Sequence, residues 1–195
     1  MVIHAWWGLN EFVRKFCERL AGDGFVAMAP DLFEGQVANT VGDAKLLRAR
    51  PKREPTYRTL ICAIEQLVRH PAVEGSAIAV VGFSMGGHWA LWLSQRPELP
   101  IATTVTFYGA RAGDYSRSRA AFLGHFAEED DWVSEAARKK LWRSLETAGR
   151  PAEFFIYPGT GHWFFEADRA DAYDAMAAEL AWRRTLAFLR RPVEE

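Results

Sequence analysis

Ala77-Ile78-Ala79-Val80-Val81-Gly82-Phe83-Ser84-Met85-Gly86-Gly87 carries the reading of the fold. Its first five residues form an unbroken apolar run, the mark of a strand buried on both faces. The next residues fit G-x-S-x-G, and a helical pattern then runs from Met85 to Gln95. A serine between such a strand and such a helix stands on a tight, strained turn that throws its oxygen clear of the backbone. Glycines at 82 and 86 leave room for that turn and for close strand–helix packing.

On either side of this stretch the same alternation repeats. Val2 to Trp7 reads as the end of a buried strand. Asn10 caps a helix with Phe12, Val13, Phe16, Cys17 and Leu20 on one face, and Gly22 and Gly24 stop it. Phe25 to Ala29 reads as a short strand ended by Pro30. Residues 35 to 55 are polar and broken by Gly and Pro, a surface excursion with a short helix near 42 to 50. Tyr57 to His70 is helical. Downstream come strands over Ala102–Phe107 and Phe122–Ala127, a helix from Ser134 to Gly149, a strand over Glu153–Tyr157 and a long helix over Ala170–Leu189. Short apolar strands alternating with amphipathic helices predict an α/β class fold in three layers, a mostly parallel sheet with helices on both faces. The 195 residues suit one domain, 1–195.

Composition narrows the function. Formal net charge is -1 with both signs interspersed, which argues against nucleic acid and an anionic membrane as partners. No apolar run approaches the ~20 residues that span a bilayer, and the first residues lack the basic start of a signal peptide. Cys17 and Cys62 lie in apolar helical stretches with no CxxC spacing, so two reduced core thiols in a cytoplasmic protein are expected.

A serine hydroxyl needs a base to act as a nucleophile. Of the five histidines, His4, His70, His88 and His125 sit at element ends or within elements, where structural roles prevail. His162 instead lies in Tyr157-Pro158-Gly159-Thr160-Gly161-His162, a Gly-rich loop after the last strand, able to reach the carboxyl end of the sheet. Asp130 and Asp131 follow the strand Phe122–Ala127 at the same end and offer the carboxylate that orients the base. The order Ser84, Asp, His162 is that of α/β-hydrolases. Two N–H donors are then needed for a developing oxyanion; Met85 supplies one, and the His4-Ala5-Trp6-Trp7-Gly8 loop is placed to supply the other.

The chain resembles the dienelactone hydrolase family along nearly its whole length. The resemblance rests on residues 4–10 (HAWWGLN), 29–33 (APDLF), 82–87 (GFSMGG), 107–109 (FYG), 128–133 (EEDDWV) and 157–164 (YPGTGHWF). It implies a sheet of six to seven strands, Asp130 rather than Asp131 as the acid, His162 as the base and the Trp6 N–H as the second oxyanion donor. It implies a small-molecule ester or lactone substrate, with no metal and no organic cofactor. The best-known members use Cys where Ser84 stands, with a thiol-controlling Glu where Ala5 stands; the two departures agree with each other. The family's substrate-binding Arg is replaced by Glu166, which disfavours an anionic dienelactone. Arg48, Arg50, Arg53 and Arg58 are available as a second carboxylate ligand. Only Met1 to Ile3 precede the first motif, where members carry one or two strands; a monomer or homodimer is expected, a clipped edge favouring the latter. Trp6, Trp7, Trp132, Trp163 and Phe164 flank catalytic positions and are expected to line an apolar pocket suited to small neutral esters. A non-catalytic scaffold and a peptide-bond hydrolase are the alternatives.

Overall fold

The structure, a computed structural model, describes residues 1–50 and 53–192. Five strands form one wholly parallel sheet in the order β1 (Val2–Ile3), β2 (Ile78–Phe83), β3 (Ile101–Phe107), β4 (Ala121–Glu129) and β5 (Ala152–Gly161). The register sets Val81 beside Val105 and Val105 beside Leu123, so the central strands are apolar on both faces, as the unbroken runs require. Helices are α1 (Glu11–Gly22), α2 (Val41–Ala49), α3 (Arg53–Val68), α4 (Met85–Leu93), α5 (Glu135–Thr147) and α6 (Ala175–Leu189). α1 and α6 meet over the sheet, where Phe16 sets its ring edge-on to Phe83, Phe107 and Trp182. α3 and α4 meet through Tyr57 and Trp92, with ring centroids 5.0 Å apart.

Most helix starts obey their caps. The side chains of Asn10, Thr40, Ser134 and Asp174 each accept from the backbone N–H three residues on, satisfying one of the orphan donors of a first turn. The cap at Asp174 starts α6 at Ala175, five residues later than the periodicity predicts. Residues 169–173 instead close turns onto the Arg169 carbonyl.

Two other expectations change. The sheet has five strands among the described residues, against the six to seven implied. Phe25 to Ala29 is no strand, although the Val2 N–H donates to the Met28 carbonyl at 2.8 Å. β1 beside it is two residues long, too short to complete a ladder. The cysteines also differ from expectation: Cys17 is half-buried and Cys62 is exposed, both unpaired. Of the excursion at 35–55, positions 51 and 52 lie outside the described residues.

Candidate active site

Ser84 joins the end of β2 to the start of α4 with φ 50° and ψ -109°, a left-handed backbone that a non-glycine residue adopts only when its surroundings enforce it. The enforcement is visible. The Ser84 N–H donates to the Phe107 carbonyl at 2.9 Å, and its own carbonyl accepts from the His88 N–H at 3.1 Å. A Cβ at Gly82 would run into the Gly86 carbonyl, and one at Gly86 into the Ile3 carbonyl oxygen, so α4 starts flush against β1 and the turn. As the first residue of α4, Met85 has an N–H with no earlier helical carbonyl to bond.

His162 follows β5, and Asp130 follows β4. The imidazole Nδ1–H donates to the Asp130 carboxylate, 2.9 Å from Oδ1 and 2.8 Å from Oδ2. The Ser84 hydroxyl stands 2.9 Å from Nε2, in position to donate its proton there. Asp130 Oδ1 also accepts from the N–H groups of Trp132 and Val133, both at 2.8 Å. The carboxylate is thus fixed by its own loop before it meets the imidazole. Both side chains are almost wholly buried, which shields the pair from competing water. Asp131 is exposed and takes no part. The turn that delivers His162 is tight: Trp163 has φ 69°, and the Phe164 N–H donates back to the Gly161 carbonyl at 3.2 Å.

The loop carrying Trp6 is pinned from below by His4. Its Nε2 accepts from the Leu32 N–H at 3.1 Å, so Nδ1–H donates to the Ala5 carbonyl at 2.6 Å. Burial pulls the His4 pKa down and keeps this ring neutral, as the tautomer requires.

A cavity of about 340 Å³ opens over Ser84 and His162, within the range of small-ligand sites. Of the five aromatic residues expected to line it, Trp6, Trp132 and Trp163 do. Trp7 and Phe164 do not. Trp7 is buried behind Trp163, its ring covered by the Arg169 guanidinium at 4.1 Å. Phe164 is fully buried against Tyr108 and Tyr157. In the turn after β5, His162 and Trp163 face the opening while Phe164 turns into the core. Sequence reading missed Tyr108, Leu32, Trp89 and His88 in the lining, and of the four arginines it offered as a carboxylate ligand only Arg48 is there. For Tyr108 a signal existed in the Phe107-Tyr108-Gly109 motif, whose Tyr has φ 39° at the end of β3. Arg48 comes from α2, whose docking no local pattern reports.

Glu166 also departs from expectation. It does not face the cavity. It is buried, accepts from the Tyr108 hydroxyl at 2.8 Å, and burial, with Asp168 adding, pushes its pKa up to about 8. Mostly protonated at pH 7 and turned away from the cavity, it is poorly placed to repel a substrate anion. Tyr108 in turn lies against His162, ring centroids 4.8 Å apart.

A family model described as the dienelactone hydrolase family matches residues 1–193. The chain belongs to the dienelactone hydrolase family. It is 29% identical to "Protein usf" of Aquifex pyrophilus over 97% of this chain and 86% of that one. It is also 29% identical to a Saccharolobus solfataricus protein named "Putative carboxymethylenebutenolidase", over 98% and 88%. Among solved structures, a dienelactone hydrolase-like promiscuous phosphotriesterase from metagenomic libraries superposes with a TM-score of 0.85 at 23% identity, covering 96% of this chain and 83% of that one. Membership in the dienelactone hydrolase family makes the chain a hydrolase with an α/β-hydrolase fold. Among the described residues no helix is long and apolar enough to cross a membrane, and no group of three or more His, Cys, Asp or Glu side chains is placed to hold a metal.

Proposed function

We propose that this protein hydrolyses carboxylic esters or lactones through a serine acyl-enzyme. The observation that carries the reading is the His162 ring, bonded on one side to Asp130 and on the other to the Ser84 hydroxyl. In this mechanism His162 takes the Ser84 proton as the oxygen attacks the carbonyl, then returns it to the leaving alcohol. It next takes a proton from water, which attacks the acyl-enzyme and frees the acid. Asp130 holds the imidazole in the productive tautomer and stabilises the imidazolium. The Met85 and Trp6 N–H groups bind the oxyanion. Met85 sits at the positive end of α4, and the loop of Trp6 is held by His4 beside the point where α4 meets β1. With Ser at 84 and Ala at 5, no acid is needed to govern a thiol. No cofactor enters this scheme.

The proposal takes 1–195 as one catalytic domain, working in the cytoplasm as a monomer or homodimer; the two unpaired cysteines suit a reducing compartment. Small neutral esters suit the indole-walled cavity. Arg48 on its wall favours a second reading, in which the substrate carries a carboxylate, as a dienelactone does. A fluorophosphonate probe tests the mechanism: it is expected to label the wild type and not Ser84→Ala, and the substitution is expected to lower kcat by about 10⁴-fold or more. Equal labelling of both proteins removes Ser84 from the reaction, and labelling of neither favours a non-catalytic scaffold. Comparing a neutral aryl ester, a dienelactone and a peptide as substrates of wild type and Arg48→Leu separates the substrate readings.

A further inference from the structure

A second cleft of about 220 Å³ adjoins the catalytic cavity and shares His88 and Trp89 with it. Arg53, from the start of α3, and Arg111, from the loop after β3, supply its cationic walls. Trp92 closes it, with the Arg53 and Arg96 guanidiniums 4.9 and 4.4 Å from its ring centre. Arg111 donates through Nη1 to His88 Nε2, and its Nε is buried without a partner. Burial, with Arg53 and Arg96 adding, holds the Arg111 pKa below its ordinary value, so these cations feel one another.

What sets the cluster apart is that three guanidiniums gather at Trp92 and its cleft with no carboxylate among them. Some arginines elsewhere are ion-paired, Arg19 with Glu179, Arg58 with Glu54, Arg190 with Asp23 and Arg191 with Glu153; others stand singly without a carboxylate. Among the described residues no carboxylate lies within ion-pairing distance of Arg53, Arg96 or Arg111, in a chain whose net charge is -1. Three guanidiniums around one aromatic patch repel one another, and an anion seated among them would be attracted by all three. Guanidiniums match phosphate oxygens two at a time, and several converging cations favour a multiply charged anion over a single carboxylate.

We propose that this cleft binds a phosphate or diphosphate group carried at the far end of the substrate whose ester or lactone lies over Ser84. The anion site rests on the cleft alone; that the anion belongs to the substrate rests on the hydrolase reading above.

The test is calorimetric titration of the full chain with inorganic pyrophosphate, with acetate in parallel, for wild type and the double variant Arg53→Gln, Arg111→Gln. Pyrophosphate is expected to bind the wild type and to bind the double variant about tenfold more weakly, with acetate much weaker than pyrophosphate. Unchanged melting of the variant shows that it folds. Equal binding by both proteins, or none by the wild type, overturns the site and leaves the esterase reading standing. A second arm compares kcat/KM for two aryl esters, one neutral and one bearing a phosphate at the end of its acyl chain. The wild type is expected to prefer the phosphorylated ester about tenfold, and the variant to lose that preference through KM while keeping its rate on the neutral ester. No preference in the wild type overturns the substrate assignment. Hydrolysis of neither ester overturns the esterase reading, while the titration still decides the anion site.

Discussion

Asp130 accepts from three N–H groups: two belong to its own loop and the third, shared between both carboxylate oxygens, to His162. Asp130→Asn would keep the loop bonds through its carbonyl oxygen but turn an N–H₂ toward Nδ1, favouring the tautomer that cannot take the serine proton. Its kcat is expected to fall by about 10⁴-fold with little change in KM, measured on any ester the wild type cleaves. Glu166 makes a different forecast. Its pKa is raised in the fold, so between about pH 4.5 and 8 the folded state holds a proton that the unfolded state has lost, and stability declines as pH rises through that window. Glu166→Gln keeps an acceptor for Tyr108 and removes the titration. Its melting temperature relative to wild type is expected to climb from pH 5 to pH 8; a difference that stays constant would contradict the burial argument. The contacts of His162 with Ser84 and Asp130 were legible because each of the three residues follows a strand at the same end of the sheet. Glu166 was misread because its burial depends on Tyr108, 58 positions away.

The strand–turn–helix unit around Ser84 is the most constrained element. Gly82→Ala would place a methyl against the Gly86 carbonyl, which is backbone and cannot swing aside. Overpacking of this kind is expected to cost about 3 kcal/mol and lower the melting temperature by about 6–12 °C, read by thermal unfolding. β2 and α4 were readable because the continuous apolar run and the glycine pair are local signals. The Phe25–Ala29 segment was not, because an apolar run becomes a strand only where a neighbour offers a ladder, and β1 offers two residues. The start of α6 was equally hidden: the periodicity of residues 170–174 continues the helix, but the Asp174 side chain caps it later.

Across the whole molecule, His125 ties three elements. It lies on β4 and bonds the Tyr157 hydroxyl of β5 at 2.8 Å and the Thr185 hydroxyl of α6 at 2.9 Å. Burial, with Arg184 adding, pulls its pKa down to about 3. The unfolded chain takes up this proton below about pH 6.5 and the folded one does not, so the stability it contributes is complete above pH 6.5 and is lost as pH falls toward 3. Wild-type melting is expected to fall through that range, and His125→Phe to flatten the decline in a pH series. The cavity wall was only partly legible. Tryptophans next to catalytic positions suggested it, but which indoles face the opening depends on how loops from β1, β4 and β5 converge. That convergence brings Trp6, Trp7, Trp132 and Trp163 together, neighbouring rings 4.8 to 6.1 Å apart. Indoles so close couple as chromophores, so the near-ultraviolet circular dichroism band carries the signature of an assembled site. Its collapse on heating, timed against the far-ultraviolet signal, reports whether the site comes apart before the sheet does.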